Sequence, residues 1–424
     1  MLSAKDNELM CRTNPDTPMG QAIRHFWIPA LLSSELPEPD CDPVHVELLG
    51  ENFVAFRNSD GQVGILDEMC CHRGASLTTG RSEKCGLRCI YHGWLFAADG
   101  TVLETPNVAD PKFKTRFKAK SFPVREAGGL IWTYIGDPAN QPPFYDFPYL
   151  GAPAEKVLAA VQIIGCNYVQ VLEGLLDSSH LSVLHISQFT QEALPDIKFV
   201  QNTGHMAHNS TPKIEAQETD FGLHYGAQRI FGDTAETNVT AFISPFFILN
   251  PNDIYMAIVP LADDKCAFYT VWYDGVRDYG LEPLRSQQLH TVGLDRLEEY
   301  GMTRKTFYTA AAGSRANGFR QDRAQVKAGH HTGMGSFVQE DALICLSAGG
   351  LRDRGYEHLA PADMAIAQMY RVLLKSAKQV AAGGKPVAYQ QSLAGLRGGR
   401  FSVPVGTDWR TLVPGNLSET KFVA

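Results

Sequence analysis

Apolar and polar residues alternate along the first third of the chain, a pattern typical of short β-strands. VHVELL, NFVAFR and VGILDE follow one another, and the Asp60-Gly61 pair between the last two favours a hairpin. GLRCIYHGWLF, TVLETP and VREAGGLIWTYIGDP extend the pattern as far as the loop NQPPF. The pattern predicts a small all-β domain at 40–140, preceded by a helical segment at 1–39 that packs on a second domain.

The character of the chain changes after residue 150. VLAAVQIIGCNYVQVLEGLL begins as a strand and passes into a helix, and a series of strand-like segments follows: KIEAQET, GLHYGAQRI, NVTAFISPFFIL, IYMAIVPL and CAFYTVWY. Helical stretches come next at 284–301 and 362–382, and Gly383-Gly384 ends the second. We therefore predict an α+β fold, in which a second domain at 150–424 consists of an antiparallel sheet flanked by helices.

Composition and charge narrow the class of protein. The chain has 424 residues, 44% of them hydrophobic, and a formal net charge of −8, which argues against nucleic acid or an anionic membrane as a partner. No apolar run reaches the ~18 residues of a membrane helix. Because the first twenty residues lack the pattern of a signal peptide, we expect a cytoplasmic protein. The nine cysteines are an odd number and four of them fall between 70 and 89, which favours metal or redox chemistry over disulfides.

The first candidate site is a pair of Cys/His motifs. Cys70-x-His72 is followed after sixteen residues by Cys89-x-x-His92. A structural zinc site usually pairs Cys with Cys and His with His, whereas each pair here is mixed. A Rieske [2Fe–2S] centre needs two Cys on one iron and two His on the other, which mixed pairs can supply. The spacing therefore favours a Rieske cluster over zinc, and both over unliganded core residues.

The second candidate site is DSSHLSVLH, in which Asp177, His180 and His185 interrupt an apolar run. Two His and a carboxylate can hold a non-haem Fe(II) and leave positions open for O₂. The alternative is a pair of buried, hydrogen-bonded histidines. On an ideal helix His180 and His185 would point about 140° apart. We therefore predict that the helix ends, bends or bulges between these two residues.

Together these motifs resemble the oxygenase components of Rieske non-haem iron oxygenases of the phthalate-dioxygenase type. The C-x-H-R-G and C-x-x-H-G-W motifs lie at 70–74 and 89–94, and N-x-x-Q-x-x-E…D-x-x-H-x₄-H runs from Asn167 to His185. The resemblance implies a helix-grip catalytic domain, with one [2Fe–2S] cluster and one Fe(II) per chain. The cluster ligands would be Cys70, His72, Cys89 and His92, while Cys71 and Cys85 would be structural thiols.

The resemblance also implies roles for residues around the mononuclear iron. The third ligand would come from Gln339-Glu340-Asp341, which we place on a strand; Asp341 is our choice and Glu340 the alternative. Asp177 would orient His180 and bridge to His92, or else His72, of the neighbouring subunit in a head-to-tail homotrimer. Roles are also expected at further positions: Asn167 and Gln170 near the iron, Glu173 as a structural carboxylate, Arg229 as a contact for a substrate carboxylate or else an exposed strand residue, and His330-His331 on a loop. NTGHMAHNS at 202–210 stands in place of the NWLRP-like segment of phthalate enzymes, which argues against phthalate as the substrate.

The expected function is that of a terminal oxygenase that uses O₂ as a co-substrate. The sequence lacks GxGxxG, a P-loop and a plant-type ferredoxin pattern, so a separate reductase or ferredoxin would supply the electrons. The substrate would be a small aromatic compound, carboxylated or methoxylated, that is hydroxylated or demethylated. Two alternatives stay open: a Rieske electron carrier with a ligand-binding second domain, and a zinc-stapled binding protein.

Overall fold

A computed structural model describes residues 2–189, 208–251, 254–309 and 312–413. The chain forms two compact units, one spanning Arg24–Phe144 and the other combining the residues on either side of it. In the described residues no helix has both the length and the apolar character needed to cross a bilayer.

The helices and strands are numbered along the chain. The helices are α1 (Ala4–Cys11), α2 (Pro18–Ile23), α3 (Tyr168–Leu176), α4 (Ile186–Phe189), α5 (Leu284–Val292), α6 (Arg323–Lys327), α7 (Phe337–Ser347) and α8 (Met364–Ala381). The strands of the smaller unit are β1 (Ile28–Leu32), β2 (Val44–Leu48), β3 (Glu51–Arg57), β4 (Val63–Asp67), β5 (Arg81–Glu83), β6 (Gly86–Arg88), β7 (Leu95–Phe96), β8 (Val102–Glu104), β9 (Ser121–Phe122), β10 (Val124–Ala127) and β11 (Leu130–Thr133). The strands of the larger unit are β12 (Leu158–Ile164), β13 (Lys213–Thr219), β14 (Gly222–Phe231), β15 (Thr234–Ile243), β16 (Phe247–Asn250), β17 (Ile254–Ala262), β18 (Lys265–Trp272) and β19 (Gly399–Pro404).

The smaller unit is all-β, as predicted, and contains three antiparallel sheets in the orders β1-β11-β10, β2-β3-β4-β9 and β5-β6-β7-β8. Its core includes Phe56, Leu66, Leu77 and Phe96. The boundary predicted at residue 40 lies instead at Arg24. The reason is that β1 pairs with β11, which ties residues 28–32 to this unit. Of the segment predicted at 1–39, only residues 1–23 belong to the larger unit.

The larger unit is built on an eight-stranded antiparallel sheet, in which seven strands follow the order β12-β18-β17-β16-β15-β14-β13 and the eighth, β19, pairs with β15. One edge of β15 is shared, because β19 pairs with Thr234–Val239 and β16 with Ala241–Ile243. The amphipathic helix α8 packs on β13 and β14 and is covered in turn by α1 and α2. The sheet and α8 were both predicted from the sequence.

Two elements of this unit differ from the prediction. The helix expected at 284–301 ends at Val292, because Gly293 adopts a left-handed conformation with φ of 91°. Residues 337–347, expected as a strand, form helix α7. Ser336 caps this helix by accepting a hydrogen bond from the Gln339 amide.

Candidate metal centres and the adjoining cavity

The two Cys/His motifs form loops that turn on a glycine. The carbonyl of Cys70 accepts a hydrogen bond from the Gly74 amide at 2.8 Å, and that of Cys89 accepts one from the Gly93 amide at 3.0 Å. Both glycines have positive φ, 69° and 75°, which other residues rarely adopt. The two loops therefore present their Cys and His residues from similar turns.

These residues form two pairs and not one cage. The rings of His72 and His92 are 4.6 Å apart between centroids, and the buried thiols of Cys70 and Cys89 are in contact. Among the described residues, only a group in the other unit places three possible ligand atoms within 4.8 Å of one another. The loops therefore lack the compact geometry that a single zinc ion needs.

The donor atoms between the loops fit a bound cluster. Nδ1 of His92 is buried and has no hydrogen-bond partner among the residues that the structure describes, which is rare for a polar atom that binds nothing. Burial raises the pKa of the Cys70 thiol, so a thiolate at this position needs a nearby cation. One Cys pair and one His pair match the ligand set of a Rieske centre.

Residues that the sequence analysis did not single out brace the second loop. Arg88 donates to the Gly93 carbonyl and to Glu83, both at 2.5 Å, and to Glu104 at 2.7 Å. Trp94 stacks on His72 with 4.6 Å between ring centroids and donates from Nε1 to Asn107. The position of Arg88, directly before Cys89 of the second motif, was the sequence feature that could have indicated this role.

In the larger unit, the helix was predicted to end or bend between His180 and His185, but it ends before His180. Helix α3 ends at Leu176, a 3-10 turn covers His180–Ser182, and α4 starts at Ile186. Because no continuous helix separates the two histidines, their rings approach to 5.1 Å between centroids. The irregular segment thus brings together side chains that an ideal helix would hold apart.

Asp341 completes a compact group with these two histidines. Its Oδ1 lies 3.1 Å from Nε2 of His185 and 3.8 Å from Nε2 of His180. The candidate ligand atoms all lie within 4.8 Å of one another, close enough for one metal ion. Two imidazoles and a carboxylate are a donor set that suits non-haem Fe(II).

Glu340 contacts the opposite nitrogen of His185. Its Oε2 accepts a hydrogen bond from Nδ1 at 2.7 Å, and its Oε1 accepts one from Thr332 at 2.6 Å. Neighbouring residues on a helix point about 100° apart, so Glu340 and Asp341 can both reach the ring. Burial opposes protonation of His185, but the two carboxylates outweigh it and raise its pKa to about 9. Glu340 therefore orients His185, a role that the assumed strand concealed, and sequence reasoning did not identify Thr332.

Asp177 stands beside His180 as predicted. Its Oδ2 lies 3.4 Å from Nδ1 of His180, while Oδ1 accepts two hydrogen bonds at 2.6 Å from Ser179. Burial opposes ionisation, but the hydrogen bonds from His180 and Ser179 outweigh it and lower the pKa of Asp177. An ionised Asp177 favours a proton on Nδ1 and turns Nε2 of His180 towards Asp341.

Arg229 is not the exposed strand residue that was the alternative for this position. It is 1% exposed, so it is not a surface residue. Its guanidinium donates to the carbonyl and hydroxyl of Ser178 and to the carbonyl of Asn209. These contacts brace the turn that leads to His180, and the expected contact with a substrate carboxylate stays a prediction.

Asn167 was expected near the iron, but its side chain caps α3 instead. Its Oδ1 accepts from the Val169 amide, and its Nδ2 donates to the carbonyls of Cys11 and Asp263 at 2.8 and 2.6 Å. It is fully buried and is not among the residues that line the cavities beside the histidines. The capping hydrogen bonds explain why its side chain points away from the metal group.

Other expected residues lie around this group. Gln170 lines one cavity, although its amide is held by the carbonyls of Cys345 and Gly349. Glu173 is a structural carboxylate that binds Arg352, Arg354 and Tyr370. His331 lines the same cavity as Gln170, and His330 accepts from the Gly333 amide. Of the segment at 202–210, residues 202–207 lie outside the described part of the chain.

Two cavities flank the metal group. The inner one, of about 140 Å³, lies between one face of the large sheet and the segments that carry His180, His185 and Asp341. The outer one, of about 450 Å³, shares Asp177, His180 and Asp341 with it. Phe268, Met256, Trp272, Leu294 and Phe337 give the inner cavity an apolar and aromatic lining.

Comparison with known proteins agrees with this geometry. Residues 26–123 match the family model for the Rieske [2Fe-2S] domain, and residues 133–421 match the model described as LigXa C-terminal domain like. The oxygenase subunit of phthalate 4,5-dioxygenase from Pseudomonas putida is 34% identical, over 97% of this chain and 94% of that protein. The oxygenase subunit of 3-chlorobenzoate-3,4-dioxygenase from Comamonas testosteroni is 33% identical, over 97% of this chain and 98% of that protein.

The fold also has solved counterparts. The crystal structure of dicamba monooxygenase bound to dicamba matches with a TM-score of 0.58 and 20% identity, covering 85% of this chain and 98% of that one. A Rieske domain joined to a sheet domain of this kind defines an oxygenase. The chain belongs to the oxygenase components of the Rieske non-haem iron oxygenases, in the phthalate-dioxygenase-type group.

Proposed function

We propose that this oxygenase oxidises a small aromatic compound in the inner cavity, with electrons from a separate NAD(P)H-dependent reductase. The observation that carries the proposal is the position of His180, His185 and Asp341 in the wall of a cavity with an aromatic lining. The names of the relatives support an aromatic substrate, since those proteins are named for phthalate and 3-chlorobenzoate.

The proposed ligands fall into two sets. Cys70, Cys89, His72 and His92 would hold the [2Fe–2S] cluster. His180, His185 and Asp341 would hold the Fe(II). When bound, the cluster supplies single electrons and the mononuclear iron activates O₂. No plant-type ferredoxin pattern or dinucleotide motif occurs in the sequence, which supports a separate electron donor.

The chain's own groups position these ligands. Glu340 accepts the Nδ1 proton of His185, and Asp177 accepts that of His180, so each ring directs Nε2 towards Asp341. The aromatic and aliphatic walls of the inner cavity exclude water from a bound ring. Exclusion of water strengthens every polar contact that the substrate makes there.

The electron path is proposed to run through Asp177 to a Rieske histidine of the neighbouring subunit, His92 or else His72, in a homotrimer. Asp177 supports this because it lines the outer cavity and keeps about a fifth of its side chain exposed. Ile90 and Tyr91, next to His92, are more than half exposed, which suits a surface that meets another protein.

Iron analysis and product analysis together test the proposal. The purified chain should contain about three iron atoms, two in the cluster and one mononuclear, and should show the visible absorption of a Rieske cluster. An electron carrier would hold about two iron atoms, and a zinc protein would be colourless. With a reductase, O₂ uptake should depend on an added aromatic acid or methoxy-aromatic compound.

The products distinguish the two reactions within the proposal. Formaldehyde release would identify demethylation, and a cis-diol would identify ring dihydroxylation. His185→Ala tests the mononuclear site. This variant should keep the visible spectrum, lose about one iron atom and lose turnover. A variant that retained substrate-dependent O₂ uptake would contradict the role given to His185.

A further inference from the structure

Gly174 lies inside helix α3, where neither a turn nor a close contact requires a glycine. Its φ is outside the left-handed region, so other residues could adopt the same backbone. A Cβ at this position would meet no heavy atom of the described residues within 4 Å, apart from its own stretch of helix. Because glycine weakens the interior of a helix relative to alanine, local structure alone does not account for this residue.

The two cavities beside the metal group meet at Gly174. It lines both the inner and the outer cavity, as do His180 and Asp341. The open space at its Cα is therefore part of the cavities and does not face bulk solvent. The one position of α3 without a side chain thus lies where the cavities join, next to the candidate iron ligands.

The size of the inner cavity makes this junction important. At about 140 Å³ the inner cavity is smaller than the roughly 300 Å³ at which typical small-molecule sites begin. The outer cavity provides about 450 Å³ more. A compound with two rings therefore needs part of the outer cavity as well as the inner one.

Apolar side chains continue past Gly174 into the outer cavity. Val171 precedes Gly174 by three residues on α3, so it lies on the same side of the helix, and it lines the outer cavity. Ile164 follows Gln162 by two residues on β12 and shares its face of the sheet. Phe268, opposite Gln162 on β18, lines both cavities. These side chains suit a second ring that extends from the inner cavity.

We propose that Gly174 sets the size of the substrate. The missing side chain keeps the two cavities joined, so that a compound oxidised in the inner cavity can extend a second ring into the outer one. This inference rests on the proposed function and adds to it a size class of substrate. Gly174 is thus a specificity-determining residue that takes no part in the chemistry.

Anaerobic calorimetry on the iron-loaded protein compares one-ring probes with two-ring probes that carry the same substituent. The pairs are phenol and 2-naphthol, benzoate and 2-naphthoate, and anisole and 2-methoxynaphthalene. We expect at least one two-ring probe to bind the wild type at least as tightly as its one-ring partner, because the second ring buries further apolar area. Gly174→Leu should weaken the binding of that two-ring probe about 10-fold or more, and that of its partner by less than about threefold.

Gly151→Leu is the matched control. Gly151 also has a φ outside the left-handed region and open space at its Cβ, but it is exposed and lines neither cavity. This variant should bind every probe as the wild type does.

Gly174→Ala replaces Gly174→Leu if that variant loses its fold or its iron. It adds one methyl group and improves helix propensity, so the thermal midpoint should be kept or raised. It should still weaken the two-ring probe more than its one-ring partner.

The contrary outcomes are equally specific. Equal losses for both members of each pair, or no loss in the folded variant, would overturn the role of Gly174. A wild type that binds no two-ring probe, or binds each one more weakly than its one-ring partner, would overturn it too. O₂ uptake with a reductase is measured on the same samples. Two-ring compounds that bind without causing uptake would contradict the proposed oxygenase function and not the role of Gly174.

Discussion

Glu340 and His185 form a buried hydrogen bond of 2.7 Å, while Asp341, the next residue on the same helix, faces the other nitrogen of the ring. We expect Glu340→Gln to weaken Fe(II) binding about 10- to 100-fold, because the amide no longer raises the basicity of His185. Titration of iron into the chelated protein would measure this loss, with the cluster absorption as an internal reference.

The control for this prediction is Glu298→Gln, which removes an exposed carboxylate from the same unit and should leave iron affinity unchanged. Wild-type affinity in Glu340→Gln would mean that the carboxylate only fills space beside the ring.

Asp177→Asn tests the electron path. The substitution keeps the shape of the side chain but removes the charge that faces His180 at 3.4 Å. We expect both metal centres and the fold to be retained, with electron transfer from the cluster to the mononuclear iron slowed severely. Rapid mixing of the reduced protein with substrate and O₂ would follow reoxidation of the cluster. Reoxidation at the wild-type rate would exclude Asp177 as a bridge.

Arg354→Met tests the support of α3. Arg354 is fully buried and donates to Glu173 at 2.5 Å and to Asn7 at 2.9 Å. Loss of one partner of a buried ion pair costs about 3 kcal/mol, which should lower the thermal midpoint of this unit by roughly 5–10 °C. Arg371→Met, on the exposed side of α8, is the matched control. Adding Glu173→Gln to Arg354→Met should restore part of the loss, and a further drop would contradict the pairing.

His224 should make the larger unit sensitive to mild acid. Its ring is buried and has no hydrogen-bond partner among the described residues, and burial lowers its pKa to about 4. The folded pKa lies below the unfolded value of about 6.5, so stability is complete above that pH and falls as pH drops towards 4. From pH 7 to 5.5 the loss is about 1 kcal/mol.

Thermal midpoints of the wild type and His224→Phe at these two pH values would measure the contribution of His224. The variant should lose less stability on acidification than the wild type. His290→Phe changes an exposed histidine and should behave as the wild type does. An equal acid sensitivity in all three proteins would assign the effect to other groups.

The features predicted correctly from the sequence depend on local patterns. Alternation with a period of two residues identified the strands of both units. The Cys and His residues of the two motifs come close together because they lie within one short stretch of chain. Helix geometry showed that a continuous helix could not bring the rings of His180 and His185 together. The helix is indeed interrupted, although it already ends at Leu176. These inferences needed no knowledge of distant contacts.

The errors concern side chains whose partners lie far along the chain. The sequence allowed Arg229 to be an exposed strand residue, but Ser178 and Asn209 hold it in a buried position. Arg400 reaches the inner cavity through the pairing of β19 with β15. No local pattern reveals this pairing, because Asn238, to which Arg400 donates, is 162 residues away. The capping role of Ser336 made α7 helical, and only a helix allows Glu340 and Asp341 to contact one ring.

The pairing of β19 with β15 also sets an order for assembly during synthesis. The smaller unit is one continuous stretch, Arg24–Phe144, so it can fold as soon as that stretch leaves the ribosome. The inner cavity is incomplete until residues 399–404 have been made and have joined β15. A nascent chain can therefore complete the loops of the two Cys/His motifs well before it has completed the inner cavity.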